Sequence, residues 1–144
     1  MAVGNCFCGK VQIEYKGEPI TSGICHCFDC RKLTGSLYSY SFVVKTADLT
    51  ITGNPKEVKK TSDSGNHIRN FFCPDCGTPV YGSRVDENGD PAEITVVRAG
   101  IFDDEVLREK KPEAELYTDR RLNWITPIEG AGQVCGMLPL STLL

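Results

Sequence analysis

The stretch "ICHCFDCRKLTG", residues 24–35, sets Cys25, Cys27 and Cys30 within six positions. Thiols this crowded suit metal ligation or redox exchange, because both need sulfurs within contact of one another. Two further pairs flank them in the chain: Cys6 and Cys8 in "NCFCGKV", and Cys73 and Cys76 in "FCPDCGTP". An eighth cysteine, Cys135, stands alone near the end. In "FCPDCGTP" the Cys-x-x-Cys spacing followed by Gly77 is a knuckle. It lets the backbone fold around a metal so that two thiolates meet it at about 2.3 Å. "NCFCGKV" offers a second half-site, with Cys6 and Cys8 either side of Phe7 in a turn kept permissive by Gly4 and Gly9. Four thiolates then close a structural zinc site that joins the N-terminus to the middle of the chain. Buried free thiols are the plainer reading, but they leave two pairs each followed by glycine without a reason.

The central cluster is left with three thiols. Three protein ligands and an open position are the mark of a catalytic metal that accepts water or substrate, whereas four make a closed structural site. Other completions stay open. Cys135 could return from the tail to close the site. His26, flanked by two of the thiols, is expected to point away from a metal they share. A metal-free redox dithiol would need a low-pKa, accessible cysteine with a resolving partner. His67 reads as an ordinary strand residue. Arg31 and Lys32, next to Cys30, could offset the negative charge of a thiolate-rich centre or clasp the carboxylates of a substrate, or form a solvated surface pair.

The elements that must hold these residues read as mainly β. "KVQIEYKG", "LYSYSFVVK", "LTITGNP", "EVKKTS", "HIRNFF", "TPVYGSRV" and "EITVVRAG" are rich in β-branched and aromatic residues and are separated by turn formers, the pattern of short antiparallel strands. Val11, Ile13 and Tyr15 alternate with polar residues, as do Tyr38, Tyr40 and Phe42 with serines, so each strand is expected to show one face to a core and one to water. "DENGDP", residues 86–91, predicts a turn. Helix is expected through "CFDCRKLTG", ended by Gly35, and through "DDEVLREKK" before Pro112. Residues 1–126 read as one zinc-braced domain and 127–144 as a loosely packed tail.

The chain has 144 residues and a formal charge of −3, enough length for one core. That charge argues against a surface built to neutralise phosphates, hence against a nucleic-acid partner. No run of about 18 apolar residues suits a membrane span, and "MAVGNCFCGK" lacks the basic and hydrophobic regions of a secretory leader. A reducing, cytoplasmic setting is therefore expected, in which eight cysteines call for metal rather than disulfides.

Taken together, "GNCFCGKV", "CHCFDCRKLTG" and "FFCPDCGTP", in this order, resemble the glutathione-dependent formaldehyde-activating enzyme family. The resemblance runs from Gly4 to Trp124, where "DRRLNW" is similar to the family's closing segment. It implies small antiparallel sheets braced by zinc, a β-tent. Two zincs per chain are implied, one structural on Cys6, Cys8, Cys73 and Cys76, the other catalytic on Cys25, Cys27 and Cys30. The implied activity is that of a carbon–sulfur lyase, joining glutathione to formaldehyde as S-hydroxymethylglutathione. The family is also similar to the zinc domain of centromere protein V, which pairs it with a basic region. This chain has no basic extension, so a non-catalytic binding module with two structural zincs is the alternative rather than the leading expectation.

Overall fold

A computed structural model describes residues 1–61, 65, 67–85, 88 and 90–138, with backbone alone at 84, 85 and 91. It is mainly β. Eleven strands fall among the described residues: β1 (Ala2–Asn5), β2 (Gln12–Tyr15), β3 (Thr21–Cys25), β4 (Ser39–Lys45), β5 (Leu49–Thr52), β6 (Lys56–Thr61), β7 (His67–Phe72), β8 (Pro79–Val85), β9 (Pro91–Arg98), β10 (Ala114–Leu116) and β11 (Gly132–Val134). Two short helices accompany them, α1 (Phe28–Thr34) and α2 (Asp104–Glu109). Both expected helices are present. Gly35 ends α1 with φ 67°, and its N–H donates to the Arg31 carbonyl, the left-handed stop that glycine permits. Asp103 caps α2 by accepting from the Val106 N–H.

Strands β1-β2-β5 form a small antiparallel sheet, and a larger sheet runs in the order β11-β10-β3-β4-β9-β8-β7-β6. From β3 to β6 every pairing in the larger sheet is antiparallel. At the other edge the expectation needs an addition: β10 runs parallel to both β3 and β11. Three-residue strands such as "AEL" and "GQV" carry too little alternation to be read from sequence. The turn expected over residues 86–91 falls on a stretch where 86, 87 and 89 lie outside the described residues.

The alternating patterns set the core. Val11, Ile13 and Tyr15 are all buried, and with Phe42, Val44, Val80, Val97 and Phe102 they fill the space between the two sheets. Tyr15 meets Phe102 edge-on with ring centroids 5.5 Å apart, the arrangement that aromatic quadrupoles favour. Serines on the other face of β4 do not meet bulk water. Ser39 and Ser41 are buried, because that face of the larger sheet lines a cavity.

Beyond residue 126 the sequence predicts a loose tail. Instead β11 adds to the sheet edge, in register with β10 from Ala114↔Gly132 to Leu116↔Val134. Glu115 ties it down. This carboxylate accepts from the Ile128 N–H at 2.8 Å, from Gln133 Nε2 at 2.7 Å, and shares a 2.9 Å hydrogen bond with His26 Nε2. Residues 139–144 lie outside the described residues.

Candidate metal centres

The two cysteine pairs flanking the central cluster are built alike. In each, a glycine of positive φ closes the turn, Gly9 at 81° and Gly77 at 80°. Gly9 N–H donates to the Cys6 carbonyl at 3.0 Å, and Gly77 N–H to the Cys73 carbonyl at 2.8 Å. A side chain at either position would strain the backbone. The turns carry their thiols to one point. Cys8 Sγ lies 3.6 Å from Cys6 Sγ and 3.7 Å from Cys73 Sγ. The four sulfurs of Cys6, Cys8, Cys73 and Cys76 all fall within 4.8 Å of one another. A tetrahedron with about 2.3 Å from centre to sulfur has edges of about 3.8 Å, so the residues present fit zinc. Donors point at the sulfurs as well: Val11 N–H to Cys6 at 3.3 Å, and the Thr78 hydroxyl 3.2 Å from Cys76.

Electrostatics at this cluster favour a cation. Hydrogen bonds from the Thr78 side chain and backbone pull Cys76 down to about 5. At Cys8 a bond from the Lys10 backbone favours the thiolate, but desolvation and the three neighbouring cysteines outweigh it and push the thiol up to about 12. Like charges this close cannot all form unless a positive ion lies between them.

At the centre, Cys25 ends β3, Cys27 caps α1 and Cys30 lies within that helix, so a strand-to-helix turn gathers all three. Their sulfurs also fall within 4.8 Å of one another. The Cys30 N–H donates to Cys27 Sγ at 3.3 Å. Hydrogen bonds from Cys25 and Cys27, with the charge of Arg98 and a bond from Ser39 adding to them, hold Cys30 at about 2 against its burial. Hydrogen bonds with Cys27 and Cys30, with burial adding to them, drive Cys25 the opposite way, well above the usual thiol range. Among the described residues no fourth ligand atom joins this group. His26 points away: it is 1% exposed, pairs with Glu115 and meets Tyr38 edge-on at 5.6 Å. Cys135 is exposed one residue past β11, where the Thr118 hydroxyl contacts it at 3.7 Å, and it stands outside the group.

The three thiols border a cavity of about 180 Å³ on the face of the larger sheet away from the core. Arg31 and Lys32 are not among its lining residues. Lys32 is exposed, and the Arg31 guanidinium sits 5.8 Å over the Phe28 ring. The guanidinium that does reach the cavity is Arg98, at the end of β9, held by Ser41 Oγ at 3.1 Å and Asn70 Oδ1 at 3.2 Å. Its Nε is buried without a hydrogen-bond partner among the described residues. His67, at the start of β7, is exposed and bonded to Thr61.

Arg98 and Glu115 went unread in the sequence. A cation closing the apolar run "ITVV" was the available signal for Arg98, since an arginine inside a buried strand needs a counter-charge. Glu115 gave no signal, because its partners are brought from residues 26, 121, 128 and 133 only by the fold.

Glu115 is 1% exposed. Burial opposes its charge, yet hydrogen bonds from Gln133, His26 and Ile128 and the charge of Arg121 prevail, lowering it from the usual 4.5 to about 2. A carboxylate depressed on folding contributes stability above its unfolded value and loses it as pH falls through the folded one. Glu115→Gln is expected to cost about 3 kcal/mol in urea unfolding above about pH 5. The difference from wild type should then shrink steadily toward pH 2 as the native carboxyl takes up its proton. A difference that does not change with pH would show that Glu115 is not ionised in the fold.

A mainly β domain with two cysteine clusters of zinc-binding geometry defines a narrow class of protein. A family model described as glutathione-dependent formaldehyde-activating enzyme matches residues 1–120, and the chain belongs to that family. A protein of Emericella nidulans, provisionally named glutathione-dependent formaldehyde-activating enzyme, is 31% identical over 78 residues, which are 54% of this chain and 39% of that one. One of Aspergillus flavus with the same name is 30% identical over 83 residues, 55% of this chain and 43% of its own. The chain thus matches about two fifths of the length of these relatives. A solved protein of Rhodobacter sphaeroides shares the fold at a TM-score of 0.51 and 18% identity, over 92% of this chain and 98% of that one. No helix among the described residues is long and apolar enough to cross a membrane.

Proposed function

We propose that the chain is a zinc-dependent carbon–sulfur lyase that joins a thiol, glutathione in the first instance, to a small aldehyde such as formaldehyde. The observation that carries this reading is the three-thiol group of Cys25, Cys27 and Cys30, bordering a cavity and joined by no fourth ligand among the described residues. Cys6, Cys8, Cys73 and Cys76 would hold a second, structural zinc. At the open centre a bound zinc would supply Lewis acidity and lower the pKa of an incoming thiol. The chain's own residues do the rest. Cys25, Cys27 and Cys30 would hold the ion at one end of the cavity, and Arg98 would offset the negative charge of their thiolates. Ser41 and Asn70 orient that guanidinium. The walls of the cavity would hold the reacting carbon near the sulfur. The thiol proton leaves the sulfur, a carbon–sulfur bond forms, and the carbonyl oxygen ends as a hydroxyl. Membership of the family and the names of the relatives support glutathione and formaldehyde as the pair. Arg31 and Lys32, outside the cavity, would meet only the parts of glutathione that extend beyond it.

The test follows 13C-formaldehyde and glutathione by exchange NMR, with and without zinc-loaded protein. Adduct formation is expected to run faster than the spontaneous reaction by at least about a hundredfold, the low end for positioning combined with acid–base assistance. A rate equal to the spontaneous one would overturn the reading.

A further inference from the structure

Formaldehyde is too small for the cavity beside the thiols. We infer that the cavity receives the apolar arm of a larger electrophile, so that the aldehyde carries an alkyl or aryl group of about six to eight carbons. This rests on the carbon–sulfur reading above and names the class of its second substrate.

Strand register shows how the space arises. Ala114, Gly23, Ser41 and Arg98 lie side by side across β10, β3, β4 and β9. Three small residues in a row leave a trough where larger side chains would fill the sheet face. Gly82 extends it toward β7, beneath the Asn70 side chain, where an added Cβ would come within 2.7 Å of Asn70 Oδ1. The two ends differ in character. Cys25 pairs with Ser39 at one end, beside Ser41 and Arg98. Two residues further along, Val43 pairs with Val96, and Ile94 follows on β9. From the Cys25 row to the Val43 row is four residues of strand, about 13 Å. Reacting groups thus gather at one end, while the aliphatic Val43, Val96 and Ile94 lie at the other, flanked by Thr21 and, across Gly82, Asn70.

Size decides the occupant. The space of about 180 Å³ exceeds the cavity of about 150 Å³ that takes up benzene and stays dry without it. Formaldehyde would occupy only a small part of it and leave the rest, which opens to solvent at the Met137 rim, to water. Most of its accessible wall is apolar, and water lying against Val43, Val96 and Ile94 gains no hydrogen bond from them, so an apolar arm displaces it there more readily than beside Asn70 or Arg98. Glutathione does not suit the apolar end either, because its two carboxylates and its ammonium would lie against aliphatic walls. An alkyl or aryl arm fits, with its carbonyl carbon at the thiol end. The chemistry needs no added oxidant: the thiol loses its proton, sulfur bonds to the carbonyl carbon, and the proton ends on the oxygen as a hemithioacetal.

The experiment has a binding arm and a turnover arm, both on the zinc-loaded full chain. 1-Hexanol, with methanol as control, is titrated while the methyl resonances of Val43, Ile94 and Val96 are recorded. Saturable shifts with hexanol alone are expected, weakened at least tenfold in Val96→Phe, which fills the apolar end, and in Met137→Asp, which puts a charge at the exposed rim. In turnover with glutathione, acceleration over the spontaneous rate is expected to be at least tenfold greater for hexanal than for formaldehyde, the worth of a few methylenes in a matched pocket. Absence of saturable hexanol binding in wild type would overturn the inference whatever the activity. Hexanol binding with formaldehyde accelerated and hexanal ignored would overturn it too, while leaving the carbon–sulfur reading intact. Hexanol binding with no aldehyde accelerated would support the cavity as an apolar site and remove the carbon–sulfur reading instead.

Discussion

Cys76→Ser is expected to unfold or aggregate the protein and to strip the zinc proposed for the four-thiol group. Cys8 and Cys73 lie 65 residues apart in the chain, yet their sulfurs are 3.7 Å apart. Cys6 and Cys73 are fully part of the core between the sheets. A metal at this point therefore fastens the turn after β1 to the turn before β8, and its binding energy is folding energy. Structural zinc in small domains contributes roughly 10 kcal/mol, comparable to the whole net stability of an ordinary domain, about 5–15 kcal/mol. Serine keeps the shape but not the soft, readily ionised sulfur that zinc prefers. The neighbouring Lys10–Asp75 pair provides the control. Its side chains are 67% and 54% exposed, so Asp75→Ala should change stability by less than about 1 kcal/mol. Circular dichroism and zinc content decide the matter. A soluble Cys76→Ser protein with unaltered melting temperature and two zincs would remove the structural centre.

How much of this is legible in the sequence depends on distance along the chain. Cysteine spacing is local, so the pairs and the triplet group by position alone, and the fold brings the members of each group together. Alternation is local too, and β2 and β4 fall where the apolar residues recur at every second position. Gly35 announces the end of α1 because only a left-handed residue stops a helix that way. What fails to show is made by pairing between distant segments. β3 hides in "TSGIC", whose glycine and serine look like loop, and it is a strand because β4 and β10 hold it on both sides. The small residues Gly23, Ser41 and Gly82 look unrelated until register lines them up beneath one cavity. Arg31 and Lys32 stand out by nearness in sequence to Cys30, whereas Arg98, far away in the chain, reaches the cavity through the neighbouring strand pair β4–β9. Residues 127–138 read as loose because what anchors them lies on another element: the edge of β10, which β11 joins, and the buried Glu115 carboxylate.

At the centre a different outcome is expected: Cys27→Ala should lose one zinc per chain and all measurable catalysis while the protein stays folded. Cys25, Cys27 and Cys30 lie within one strand-to-helix turn, so a metal there fastens no distant parts of the chain and contributes far less to folding than the four-thiol centre. Catalysis, by contrast, depends on it wholly under the proposed reading, since two remaining thiols leave the ion labile. Cys27 has a second role that must be separated from the first. Its sulfur caps α1 by accepting the Cys30 N–H at 3.3 Å, and losing a cap costs about 1 kcal/mol. Cys27→Ser resolves the two, because a serine hydroxyl caps a helix well but binds zinc poorly. The serine variant should melt like wild type yet lack the central zinc and the activity, whereas the alanine variant should melt a few degrees lower. Cys135→Ala, removing an exposed thiol outside the group, should change neither metal content nor rate. If Cys135→Ala lost the central zinc, the site would be a closed four-thiol brace and the lyase reading would fall. If Cys27→Ser kept full activity, catalysis would not run through the three-thiol centre at all.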